Sequence, residues 1–211
     1  MGAETNTDGS LWKCGIMKAL DTVYRHYRFR SRTEARWAIF FDLMQIPFVY
    51  EKEGFDLNGM YYLPDFWLPH QKVWAEVKSL DPTPEEIEKA IRLSALTQSP
   101  VVFLIFATDI ASTIEWSGGF YYLPGKPERE KYVAEWHVCP KCDAPNICPA
   151  AFCAGFDCWK CKVRLSPEEV CAIADAGMEM VFVRRITESY QAAMQARFEH
   201  GENPERMIRL L

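Results

Sequence analysis

Asp65, Glu76 and Lys78 are the residues of this chain whose types and spacing point most directly to chemistry. Two carboxylates brought together repel, and each raises the other's pKa unless a cation sits between them. Hard oxygen ligands of this kind suit Mg²⁺ or Mn²⁺. A lysine beside such an ion is in position to orient or deprotonate a water. A second set is formed by Cys139, Cys142, Cys158 and Cys161, two Cys-x-x-Cys pairs at the spacing of a structural Zn²⁺ site. In such a site four thiolates close a tetrahedron around the ion. Cys148 and Cys153 lie between the pairs and stay open, as a substitute ligand or as free thiols.

The acids can meet only if residues 61–78, YYLPDFWLPHQKVWAEVK, fold as a β-hairpin. Two runs rich in aromatic and β-branched residues flank Pro69-His70-Gln71, the pattern of strands joined by a tight turn. A turn centred on His70 and Gln71 puts Asp65 across from Glu76. The strand period of two then puts Glu76 and Lys78 on one face, with Val77 pointing away. Leu63, Phe66, Trp67 and Leu68 surround Asp65, and Val73, Trp74 and Val77 surround Glu76. Such strands are largely buried, where an unpaired carboxylate is costly. The plainer alternative is that Pro64-Asp65 marks a turn and Glu76-Val77-Lys78 is an exposed strand end with an ion pair.

Around this hairpin the chain alternates helix and strand. Ser31 followed by Glu34 is a capping-box pattern that opens a helix, and Pro47 ends it. Phe48, Tyr50 and 53–55 read as a first strand, followed by the turn Asn58-Gly59. Thr83 caps a helix from Glu85 to Thr97, and the apolar run from Val101 to Ala107 reads as a buried strand. Residues 111–135 read as a loop or hairpin connection. Ser166-Pro167-Glu168-Glu169 starts another helix. Residues 180–186 read as a strand and 188–200 as a last helix, with Tyr190, Met194 and Phe198 forming a core or docking stripe.

Pro64-Asp65 followed by Glu76-Val77-Lys78 resembles the signature of the PD-(D/E)XK nuclease superfamily. The order helix, three-stranded meander, helix, buried strand is that of the restriction-endonuclease-like core. The resemblance covers roughly residues 24–110. It implies an α/β fold with an αβββαβ core, in which a helical crossover pairs the last strand with the one bearing Glu76 and Lys78 in a mixed sheet. It also implies a Mg²⁺- or Mn²⁺-dependent deoxyribonuclease. Asp65, Glu76 and the main-chain carbonyl of Val77 would hold the ion, and Lys78 would orient or activate the attacking water. Superfamily members often carry an acid on the first core helix, which makes Glu34 an accessory candidate; its role as a cap partner is equally natural.

The expected organisation is a tail or short element over 1–23, the nuclease core over 24–110, a connection over 111–135, a zinc ribbon over 136–165 and a C-terminal helical segment over 166–211. At 211 residues, 49% hydrophobic and 25% charged, the chain is long enough for one full core plus a small appended module. No apolar run is long enough to span a bilayer, and the polar N-terminus does not read as a signal peptide. A cytoplasmic location is expected. A net charge of −5 excludes nucleic-acid binding through the whole surface. Arg28, Arg30, Arg32 and Arg36, interleaved with aromatic residues, read either as a local patch suited to phosphates and bases or as a solvated helix start. DNA is the expected partner. A homodimer and a protein partner for the ribbon stay open, as do a structure-specific or RNA-directed nuclease and a non-catalytic adaptor on the same fold.

Overall fold

The computed structural model describes residues 21–105, 120–122, 132–149, 156–169, 172 and 179–198. The tail before residue 21, Cys14, Cys153, Cys171 and the chain beyond residue 198 lie outside the described residues. A hairpin of β1 (Thr22–Tyr24) and β2 (Tyr27–Phe29) leads into α1 (Arg32–Leu43). Tyr24 Oη donates to Asp42 Oδ2 at 2.8 Å, and Arg25 pairs with the same oxygen at 3.0 Å, so the hairpin is fastened along the helix. Ser31 caps α1 as expected, its hydroxyl accepting the Glu34 amide at 3.2 Å. The helix stops at Leu43, before Pro47, because Gln45 turns into the left-handed region at φ 58°.

The short strand β3 (Val49–Tyr50) breaks off at Glu51, whose φ is 45°. The chain makes a separate hairpin of β4 (Phe55–Asp56) and β5 (Tyr61–Tyr62) before entering β6 (Phe66–Leu68) and β7 (Val73–Lys78). The expected continuous strand from Tyr61 is therefore interrupted, and the meander is β3, β6, β7 with β4 and β5 inserted. Pro64, which has no N–H for a sheet ladder, stands at the break. Helix α2 (Pro84–Thr97) carries a full capping box between Thr83 and Glu86. It crosses over to β8 (Val101–Ile105), which pairs parallel with β7, Glu76 opposite Phe103.

Strands β9 (Phe120–Tyr122), β10 (Tyr132–Val138) and β11 (Pro145–Pro149) continue the same sheet, giving the order β11-β10-β9-β8-β7-β6-β3. The segment read as a connection thus contributes strands, and the boundary at residue 136 falls inside β10. Two further short strands, β12 (Phe156–Asp157) and β13 (Arg164–Leu165), pair with each other. The expected strand over 180–186 is instead the start of helix α3 (Glu179–Gln195). Apolar residues at Ile186, Tyr190 and Ala193 recur at helical spacing and bury against α1.

The sheet is clothed on both faces, as a mixed sheet with buried parallel strands must be. Val73, Ala75, Val102, Leu104 and Trp136 face α1 and α3, where Trp136 meets Phe40 at 5.3 Å between ring centroids. Trp74, Val101 and Phe103 face α2 and the β4–β5 hairpin. Glu76 and Lys78 share the Trp74 face by strand alternation. The molecule is a mixed α/β protein, and no helix among the described residues is long and apolar enough to cross a membrane.

Candidate metal and acid–base site

Phe66 pairs with Ala75, so the same register carried one residue further sets Asp65 opposite Glu76. Both carboxylates are buried, as is Glu34. Every oxygen of the facing pair accepts a donor. Asp65 Oδ1 takes Arg30 Nη2 and Oδ2 takes the Val77 amide, each at 2.7 Å. Glu76 Oε1 takes Lys78 Nζ at 3.0 Å and Oε2 takes the Tyr62 hydroxyl at 3.1 Å. In an extended strand a residue's N–H and C=O point to the same side, so the Val77 carbonyl faces the Asp65 edge as well.

Burial pushes the Asp65 carboxyl well above the usual range, and the charges of Glu76 and Glu34 push it further. The Val77 amide and Arg30 pull it back only in part. Tyr62 is likewise raised well above its ordinary value, by burial first and then by the negative charge of Glu76. Burial alone would lower the Lys78 ammonium, but Glu76 and Glu86 hold it above its ordinary value. Glu86 Oε1 on α2 lies 2.7 Å from Lys78 Nζ, while its Oε2 accepts the Thr83 amide at 2.7 Å. The capping box thereby fixes the carboxylate that brackets the lysine.

Glu34 belongs to a neighbouring network. Its Oε1 accepts Ser31 Oγ at 2.6 Å, and its Oε2 accepts Tyr50 Oη at 2.6 Å and the Arg30 amide at 3.1 Å. It is both a cap partner and close enough to Asp65 for its charge to be felt. Arg30 ties the two groups together, its Nε also pairing with Glu51 Oε1 at 2.7 Å. The four arginines of the basic run are thus dispersed. Arg30 turns to the acids, Arg28 is exposed beside Asp21 at 3.4 Å, and Arg32 and Arg36 lie half-buried on the first turns of α1. Lys89 and Arg92 form surface pairs with Glu85 and Glu88, and Arg92 also reaches the Leu57 carbonyl at 3.1 Å.

Comparison with known proteins yields no matching family model, and no curated protein or solved structure matches the chain. The chemistry has therefore to be read from the donor sets themselves. Asp65 and Glu76 present hard oxygens, and Arg30 and Lys78 supply the positive charge that so dense a cluster of acids requires. Carboxylate oxygens are the ligand type that Mg²⁺ and Mn²⁺ take, and in this structure each of the four accepts a protein donor. Tyr62, Tyr50, Glu51 and Glu86 were not singled out in the sequence. For Glu86 alone a signal was present, Thr83-x-x-Glu86 being a capping-box pattern.

The sulfur atoms of Cys139, Cys142, Cys158 and Cys161 all lie within 4.8 Å of one another. Cys139 and Cys161 approach to 3.6 Å, as do Cys142 and Cys158. The two knuckles repeat one backbone design. Cys139 N–H bonds the Ala144 carbonyl at 2.9 Å and Cys158 N–H bonds that of Val163 at 3.0 Å. The residue after each second cysteine is left-handed, Asp143 at φ 56° and Lys162 at φ 60°. Burial pushes the Cys139 thiol up to about 12. Burial also raises Cys158, but the amides of Cys161 and Lys160 outweigh it and bring this thiol down to about 7. Four such sulfurs can hold a metal ion such as Zn²⁺. Apart from the four cysteines, the described ribbon buries only Ala144 and Phe156 in its own core, so an ion has much to contribute there. Cys148 lies in β11.

Proposed function

We propose that the protein is a Mg²⁺-dependent nuclease that hydrolyses DNA phosphodiester bonds at Asp65, Glu76 and Lys78. The observation that carries this reading is the pair of buried carboxylates facing each other across β6 and β7, with a lysine on the same strand face. Burying two facing carboxylates costs stability, and strongly perturbed acids of this kind cluster at functional sites. The strand order supports the reading too: β3, β6 and β7 form an antiparallel meander and β8 returns parallel through α2, as in a restriction-endonuclease-like core. Asp65 and Glu76, with the Val77 carbonyl, would hold Mg²⁺, which supplies a polarised water and charge stabilisation at the phosphate. Lys78, bracketed by Glu76 and Glu86, offers ammonium protons that orient the attacking water and neutralise charge on the phosphate oxygens. Tyr62 fixes the Glu76 carboxylate. The cysteine quartet is a structural zinc ribbon, with Lys141, Lys160, Lys162 and Arg164 exposed for contact with a nucleic-acid backbone.

One observation favours a second reading, a non-catalytic nucleic-acid- or protein-binding adaptor. Arg30 and Lys78 already neutralise both acids, which is how a purely structural polar cluster would be satisfied. The deciding experiment is cleavage of supercoiled plasmid and of single-stranded, flapped and branched DNA and RNA, with Mg²⁺, Mn²⁺ or EDTA. Wild type is compared with Glu76→Ala and Lys78→Ala. Metal-dependent cutting lost in both variants is expected. Substrate binding with no cutting under any ion selects the adaptor, and equal cutting by the variants removes these residues from the reaction.

A further inference from the structure

Arg30 stands between the buried Asp65 and the half-buried Glu51. Its guanidinium bridges Asp65 Oδ1 and Glu51 Oε1, each at 2.7 Å. The Arg30 side chain keeps 55% of its surface exposed, whereas that of Asp65 keeps 5%. A guanidinium has five donors in a planar fork, more than the two carboxylates engage. One side of this group therefore neutralises a buried acid while the rest stands in water.

The position has a consequence for any ion on Asp65. A cation coordinated by Oδ1 would share that oxygen with Arg30 Nη2 at 2.7 Å, and two positive charges at that range repel strongly in a partly buried site. A phosphodiester offers the guanidinium a better-matched partner, since the fork binds phosphate oxygens in bidentate fashion. Glu51 remains as a hinge point for Nε when the Nη2 contact is released.

We propose that Arg30 is the exchangeable counter-cation of the site. Without substrate it neutralises Asp65; when DNA binds, its fork moves to a backbone phosphate as a divalent ion takes Asp65. The inference rests on the nuclease reading of the same residues. Because linkage is reciprocal, DNA must then tighten the metal by the same factor as the metal tightens DNA. The arginine thus makes the metal site selective for the substrate-bound state and prevents idle occupancy.

The test is Mn²⁺ binding to the full chain, followed by electron paramagnetic resonance with the cysteine cluster saturated with Zn²⁺. It is run with no DNA, with a phosphorothioate duplex and with an uncharged methylphosphonate duplex. In wild type the phosphorothioate duplex is expected to raise Mn²⁺ affinity about tenfold, within the usual range of a coupling between sites, and the uncharged duplex to leave it unchanged. Arg30→Met should bind Mn²⁺ more tightly than wild type without DNA and lose most of the DNA effect. Arg30→Lys, which keeps the charge without the fork, should fall between and guards against a folding defect in the methionine variant. The proposal is overturned if Arg30→Met binds Mn²⁺ no better, or if DNA tightens the metal equally in both proteins. A different failure, in which wild type binds no Mn²⁺ that Glu76→Gln removes, brings down the nuclease reading itself.

Discussion

Replacing Tyr50 by phenylalanine tests whether Glu34 is held in place by the helix cap or is available to an ion. The buried Tyr50 hydroxyl donates to Glu34 Oε2 at 2.6 Å and receives the Arg30 amide at 3.1 Å. Tyr50→Phe leaves the ring packing against Phe29 and Phe66 intact and removes one hydrogen bond to a charged acceptor. The Arg30 amide still has Glu34 Oε2 at 3.1 Å, so no donor is stranded. The cost is therefore that of the single bond, about 2 kcal/mol. For a chain of this size that lowers Tm by roughly 4–8 °C. Glu34→Gln keeps the shape but turns an N–H₂ toward one of the donors, costing about 1–2 kcal/mol. Because both changes act on one contact they should not add, and the double-mutant cycle should give a coupling of about 1–2 kcal/mol. Urea unfolding of the four proteins by circular dichroism measures it. A coupling within about 0.5 kcal/mol of zero would show that Tyr50 does not hold Glu34. The same variants in the Mn²⁺ assay should bind nearly as wild type; loss of Mn²⁺ binding in Glu34→Gln without loss of stability refutes the cap assignment.

Two further perturbations follow from the same geometry. Burial raises the Glu86 carboxyl, but Lys78 and the Thr83 donors outweigh it and hold it below its usual value. Its stabilising contribution is then complete above the unfolded pKa and lost as pH falls through the lower folded one. Wild type should exceed Glu86→Gln by less than about 1 kcal/mol at neutral pH, the scale of a partly exposed pair. The difference should begin to shrink as pH falls past the ordinary carboxylate range, about pH 4, and vanish below the folded pKa; urea midpoints measured against pH check it, and a gap that widens in acid contradicts the pairing. For the cysteine quartet, freshly reduced protein should carry one Zn²⁺ per chain by metal analysis. Cys158→Ser should lose it with a drop in thermal stability, and a zinc-free wild type of equal stability removes the metal assignment.

Much of the architecture is written in local signals. The Ser31 and Thr83 caps state where α1 and α2 begin, and the turn at His70-Gln71 fixes the register that brings Asp65 opposite Glu76. The Cys-x-x-Cys spacing likewise determines the sulfur cluster, because knuckle geometry is set within a few residues. What escaped depends on partners distant in sequence. Residues 180–186 contain Val181, Phe182, Val183 and Ile186, a β-branched and aromatic run that reads as strand. Their helical state is selected by packing of the element on α1, where Tyr190 lies 5.9 Å from Trp37. The break at Pro64 shortened a strand that looked continuous. Arg30 looked like one member of a basic patch because nothing in its neighbours in sequence announces Asp65, 35 residues away.

The place of β10 changes how this protein can be taken apart. One edge of β10 pairs with β9 and the other with β11, while its end runs directly into the first cysteine knuckle. Trp136 on that strand also fills the space against Phe40 and Phe41. A fragment ended before β10 would therefore bare an unpaired strand edge and an aromatic slab together, the combination that drives chains to aggregate. A fragment begun at β10 would start with a strand whose edge toward β9 is unpaired. The acid cluster and the sulfur cluster, distinct in chemistry, are inherited as one folding unit, and an expression boundary drawn between them should yield insoluble material on both sides of the cut.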